Sequence, residues 1–123
     1  MSQSISAART VILPLVIPEG QSLEFPQKDP ADSLDFTLDI TAWLADSGDT
    51  IASWAYAQSN INPQASALSI AKQGTIAPQL TLIIGAGTPA TIYQIVFTVT
   101  LTSGRILNRM VTLPVNILAP ASF

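Results

Sequence analysis

The side chains best suited to chemistry in this sequence are aspartates. Asp29, Asp32, Asp35 and Asp39 crowd one short stretch, and Asp46 and Asp49 follow in the next. A protonated and an ionised carboxyl can together hydrolyse a glycoside, and a cluster of carboxylates can hold calcium. Neither arrangement is completed. An EF-hand loop takes ligands at alternate positions and closes on a bidentate Glu, whereas the only glutamates are Glu19 and Glu24. Asp35 and Asp39 alternate with Leu34, Phe36, Leu38 and Ile40 and so read as the polar side of a strand. Asp46-Ser47-Gly48-Asp49 reads as a turn whose carboxylates cap nearby amides.

The sequence contains no His and no Cys. That removes the imidazole base, the thiolate nucleophile, the disulfide framework and most zinc and haem ligand sets together. The expectation is a non-enzymatic protein with no catalytic residue, no metal site and no cofactor. Five Lys and Arg against eight Asp and Glu give a net charge of −3 and a pI near 4.4, which leaves no basic face for a phosphate backbone and argues against nucleic acid as a partner. The missing cysteines fit assembly in a reducing cytosol.

The elements that must position any site follow from period-two alternation, which dominates wherever the pattern is clear. Ser33–Ile40 and Thr91–Thr102 are the cleanest strands. In the second, Tyr93, Ile95, Phe97, Val99 and Leu101 face one way and Gln94, Thr98, Thr100 and Thr102 the other, with Val96 out of pattern. Thr102-Ser103-Gly104-Arg105 makes a tight turn into a return strand over residues 106–118, where Pro114 must sit at a sheet edge or face away from its neighbour. Shorter strands are expected at 50–56, 67–71 and 79–84, and a seventh from 23–26 or 11–17. Asn60-Ile61-Asn62-Pro63 and Gly85-Ala86-Gly87-Thr88-Pro89 read as turns. Thr41–Ala45 is one helical turn with Thr41 as its N-cap.

The fold class is therefore all-β: an immunoglobulin-like β-sandwich of about seven antiparallel strands. Phe36, Trp54, Tyr93 and Phe97 are assigned to its core, the Tyr93 hydroxyl bonding back to the backbone of the corner at 87–91. The domain runs over 23–118, with an extended, proline-punctuated arm over 1–22 and a tail over 119–123.

The arm carries Val11, Ile12, Leu13, Leu15, Val16 and Ile17 around Pro14. This run is too short to span a bilayer and lacks the flanks of a signal peptide, so no membrane insertion is expected. With 48% hydrophobic and only 11% charged residues, the chain reads as one that works against other chains, and the six arm residues are its candidate partner contacts. Covering them would contribute several kcal/mol at ~25 cal/mol per Å2. The outward threonines Thr98, Thr100 and Thr102 read either as a solvated strand face or as a subunit contact, where hydroxyls desolvate at lower cost than charges. Arg105 and Arg109 are candidates to pair with a partner's carboxylates.

Lys28-Asp29-Pro30-Ala31-Asp32, then Leu34-Asp35-Phe36, Trp43-Leu44, Gly48-Asp49-Thr50-Ile51 and Trp54 resemble a family of small tailed-bacteriophage proteins of the fibre-tail adaptor type. The likeness extends over about 28–115. Ile40 stands here where the family pattern has Trp, and Ala45-Asp46-Ser47 lengthens one loop. The resemblance implies a virion component of immunoglobulin-like fold, assembled in the host cytoplasm. It would be present in several copies around a tail axis and join the tail to fibre or receptor-binding proteins. The alternative is a surface- or carbohydrate-binding module that uses Trp43 and the loops near Asp46 and Asn60.

Overall fold

The structure, a computed structural model, describes residues 7–17, 20–60, 64–73 and 79–118. It is an all-β sandwich, with eight strands among the described residues in two four-stranded sheets. A 3-10 turn at Ala7–Arg9 leads into β1 (Thr10–Ile12). There follow β2 (Leu23–Glu24), β3 (Leu34–Asp39), α1 (Thr41–Ser47), β4 (Ile51–Asn60), β5 (Leu68–Lys72), β6 (Gln79–Ala86), β7 (Thr91–Leu101) and β8 (Ile106–Val115). One sheet has the order β1-β3-β6-β5 and the other β2-β8-β7-β4.

Alternation places the core as the sequence pattern requires. Phe36, Leu38 and Ile40 from one sheet meet Tyr93, Ile95, Phe97, Val99, Val111, Leu113 and Val115 from the other, all buried. Phe25, just past β2, lies between them, 5.3 Å from the Phe36 ring and 6.5 Å from that of Phe97. Trp54 is half-buried at the margin and stacks on Phe97 at 6.2 Å. The Tyr93 hydroxyl accepts from the Thr88 amide at 2.8 Å and donates to the Ser66 carbonyl at 2.6 Å, tying the β6–β7 corner to the start of β5. Gly87 allows that corner to close: its φ is +103°, and a Cβ there would lie 3.0 Å from the Leu68 side chain.

Four details differ from the sequence reading. Both candidate seventh strands form, but as short parallel additions, β1 on β3 and β2 on β8. The last strand ends at Val115, so Ile117 is exposed rather than in line with Val111 and Leu113. Thr41 is the first residue of α1 and Ile40 its N-cap. The capping oxygen belongs to Asp39, whose carboxylate accepts from the Thr41 amide at 2.9 Å, because the strand ends with Asp39 turned toward the helix. The turn read at 85–89 starts later, since β6 runs through Ala86; of the turn read at 60–63, Asn60 is the last residue of β4 and the rest lie outside the described residues.

Pro114 sits in an internal strand and faces away from β7. The Phe25 amide donates to Thr112 O and the Lys28 amide to Pro114 O, so the even-numbered residues of β8 aim their backbone groups at the β2 side. The absent N–H thus falls where the two-residue β2 has already ended, at no cost to the β7–β8 ladder.

Candidate docking surface

The arm is pinned to the sheet before its apolar residues emerge. Arg9 donates to the Asp35 carbonyl and to Asp35 Oδ1, each at 2.8 Å. Thr10, Val11 and Ile12 then pair with Thr37, Leu38 and Asp39, and the Leu13 amide donates to Asp39 O at 2.9 Å. Leu13 is fully buried, while Val11 and Ile17 are half-buried against the core. Ile12, Leu15 and Val16 stand out at 68%, 51% and 78% exposure. The six residues therefore divide. Leu13 cannot serve as a partner contact, because the strand pairing turns it into this protein's own core. Ile12, Leu15 and Val16 form an exposed apolar ridge. Domain and arm are continuous at this point.

The second surface is the outward face of the β8-β7-β4 layer. Thr98 and Thr100 lie on it, and Thr98 Oγ1 donates to Asn108 Oδ1 at 2.7 Å. Thr102, past the end of β7, is engaged with the Thr50 hydroxyl at 2.7 Å. Around the threonines are Val96, which the alternation left out of pattern, and three residues the sequence reading passed over, Ile92, Ile106 and Met110, with Val96 opposite Met110 and Ile106 opposite Thr100. Their signal was present, since Ile106 and Met110 alternate with the buried Leu107 and Val111. No charged residue lies on the outward positions of β4, β7 or β8.

The two arginines do not share this face. Arg105 is exposed in the β7–β8 turn, with its amide toward Ser103 Oγ. Arg109 stands opposite Phe97 on the inward-facing row and donates to the Asn108 carbonyl at 2.6 Å. Trp43, the aromatic platform of the recognition-module reading, packs half-buried against the core.

The motif residues hold the frame. Lys28 is fully buried, and its ammonium donates to the carbonyls of Asp29 at 2.7 Å and Ala86 at 2.6 Å. Burial lowers its pKa, opposed by the carboxylates of Asp32 and Asp29. Asp29 accepts from the amides of Ala31 and Leu118, so this short motif ties the β2–β3 connection to the β6–β7 corner and to the chain beyond β8. Gly48 ends α1 in the left-handed conformation. Asp49 accepts from the Ser103 hydroxyl at 2.5 Å, which holds its carboxyl below the ordinary range. The Thr102 amide donates to Thr50 O, so Gly48-Asp49-Thr50 fastens the helix end to the β7–β8 hairpin. Each of these carboxylates has a structural partner, and no cluster of three potential metal ligands occurs among the described residues. No helix among them is long and apolar enough to cross a membrane.

Residues 28–114 match a family model described as podophage GP4 fiber-tail adaptor protein gp77. Neither a curated protein nor a solved structure matches the chain.

Proposed function

The chain belongs to the podophage GP4 fiber-tail adaptor family gp77, and from that premise we propose that it joins the tail to fibre or receptor-binding proteins by direct contacts through two surfaces. The family gives it a structural role as a virion component. The Ile12-Leu15-Val16 ridge docks on one neighbour, and the uncharged β8-β7-β4 face, with Thr98 and Thr100, meets another. Copies stand around the tail axis, and nucleic acid is not a partner. The observation that carries this reading is the ridge itself. A small, acidic domain keeps three large apolar side chains in water on a segment whose neighbouring residues Arg9 and Leu13 are firmly anchored, an expense that a covering partner removes.

The test is the triple substitution Ile12→Ser, Leu15→Ser and Val16→Ser, followed by incorporation into assembled tails. The variant should fold with little change in melting temperature and be missing from tails. Normal incorporation would overturn the ridge's role. Deleting residues 1–22 is not an equivalent experiment, since it also removes β1, the Arg9–Asp35 pair and the Leu13 plug.

A further inference from the structure

We infer that β4 is an edge at which two copies of this chain pair, antiparallel, about a two-fold axis near Ala57. Sheet edges in native proteins are blunted by shortness, charge, proline or a covering element. Of the four edges here, β1 and β2 are only three and two residues long. The β5 edge is covered: the Gln58 side chain accepts from the Leu68 amide at 2.7 Å and donates to its carbonyl at 2.9 Å, and the Tyr56 hydroxyl donates to the Ile70 carbonyl at 3.0 Å. β4 is the exception, with ten residues from Ile51 to Asn60 and neither a charge nor a proline.

Its pairing with β7 uses Ser53, Ala55, Ala57 and Ser59, opposite Thr100, Thr98, Val96 and Gln94, so Trp54, Tyr56 and Gln58 aim their backbone groups outward. Lys72 Nζ takes the Trp54 carbonyl. Among the described residues nothing takes the amides and carbonyls of Tyr56 and Gln58.

The occupant is a second copy for two reasons. All eight acidic residues lie between Glu19 and Asp49, so two molecules of net charge −3 can meet along β4 without an acid on either strand. The outward side chains are all Ala or Ser, and self-pairing about Ala57 sets Ala55 against Ser59 of the second copy, small side chain against small.

The inference is independent of the ridge. Light scattering on the intact chain should give twice its 13.0 kDa mass at micromolar concentration. Ala55→Lys with Ala57→Lys, at exposed positions, should weaken the dimer by roughly tenfold or more with no loss of thermal stability. In this cysteine-free chain, Ala57→Cys should cross-link copies on mild oxidation, because non-hydrogen-bonded antiparallel partners bring Cα atoms to about 4.5 Å, inside the disulfide span. Ala42→Cys, exposed on α1, should not. A monomeric parent chain, a dimer that survives the lysine pair, or cross-linking no faster at 57 than at 42 would each overturn the inference. The ridge substitutions leave this dimer intact, so the two readings fail separately.

Discussion

The Lys28 ammonium donates to the carbonyl oxygen of Ala86 at 2.6 Å, across the sandwich and 58 positions along the chain. Ala86 holds a left-handed φ of 62°, a conformation costing an alanine about 1 kcal/mol or more. The buried charge therefore secures a turn that local preference resists. Lys28→Met removes donors from two carbonyls and should destabilise the fold by about 2 kcal/mol at neutral pH, read by urea denaturation.

The same group sets a pH dependence. Burial lowers the folded-state pKa of Lys28 from its ordinary 10.5, against the pull of Asp32 and Asp29. Between the lowered value and 10.5 the unfolded chain binds more protons than the folded one, so stability rises with pH across that window. Denaturation curves through the alkaline range should show the parent chain gaining on Lys28→Met. A constant gap would contradict this account.

Asp39 works in the opposite pH region. Partial burial acts to raise its carboxyl, but the hydroxyl and amide of Thr41 and the Gln79 amide outweigh it, so its pKa falls below the ordinary 3.8. The stabilisation is complete above 3.8 and is lost as pH drops through the lowered folded-state value. Asp39→Ala should lose about 1 kcal/mol at pH ~7, as for loss of a helix cap. Acid titration of both chains should show the difference closing only at the low end.

Adjacent residues of the arm should respond very differently. Leu13→Ala opens a cavity in the core and should cost about 2–4 kcal/mol. Ile12→Ser, one residue away and exposed, should stay within about 0.5 kcal/mol. Thermal melts of the two variants measure the division directly. Equal effects would mean that β1 does not separate the two side chains as described.

Tyr93→Phe keeps the ring in the core and leaves the Thr88 amide and Ser66 carbonyl unpaired. A loss of about 1–3 kcal/mol is expected, with faster hydrogen exchange at the Thr88 amide as its local signature.

Strands β3 and β7 were legible in the sequence because each alternates apolar and polar residues through at least three periods, although on β3 the polar Thr37 is buried as well and shares a hydrogen bond with Thr81. The β7–β8 hairpin announced itself through Gly104. The segments of β1 and β2 were read as candidates for one further strand, but that both form, and in parallel, was not legible, since two or three residues are too few to show a period and their partners lie far along the chain. Pro14 interrupts the apolar run at 11–17, so nothing in composition separates Leu13, inside, from Ile12, outside. Lys28 was equally opaque: a buried lysine held by carbonyls leaves no pattern, because every residue type supplies a carbonyl. The motif around it was readable as a family resemblance, and its reason for existing became visible only in three dimensions.

The parallel registry of β1 with β3 bears on how an adaptor carries load. Tension drawn through Leu15 and Val16 along the strand axis reaches the rungs from Thr10 to Leu13 together, in shear, with the Arg9–Asp35 pair behind them. A hairpin pulled from its open end would yield rung by rung. Under the proposed ridge contact, a neighbour's pull on Leu15 and Val16 loads this short ladder and the buried Leu13 together.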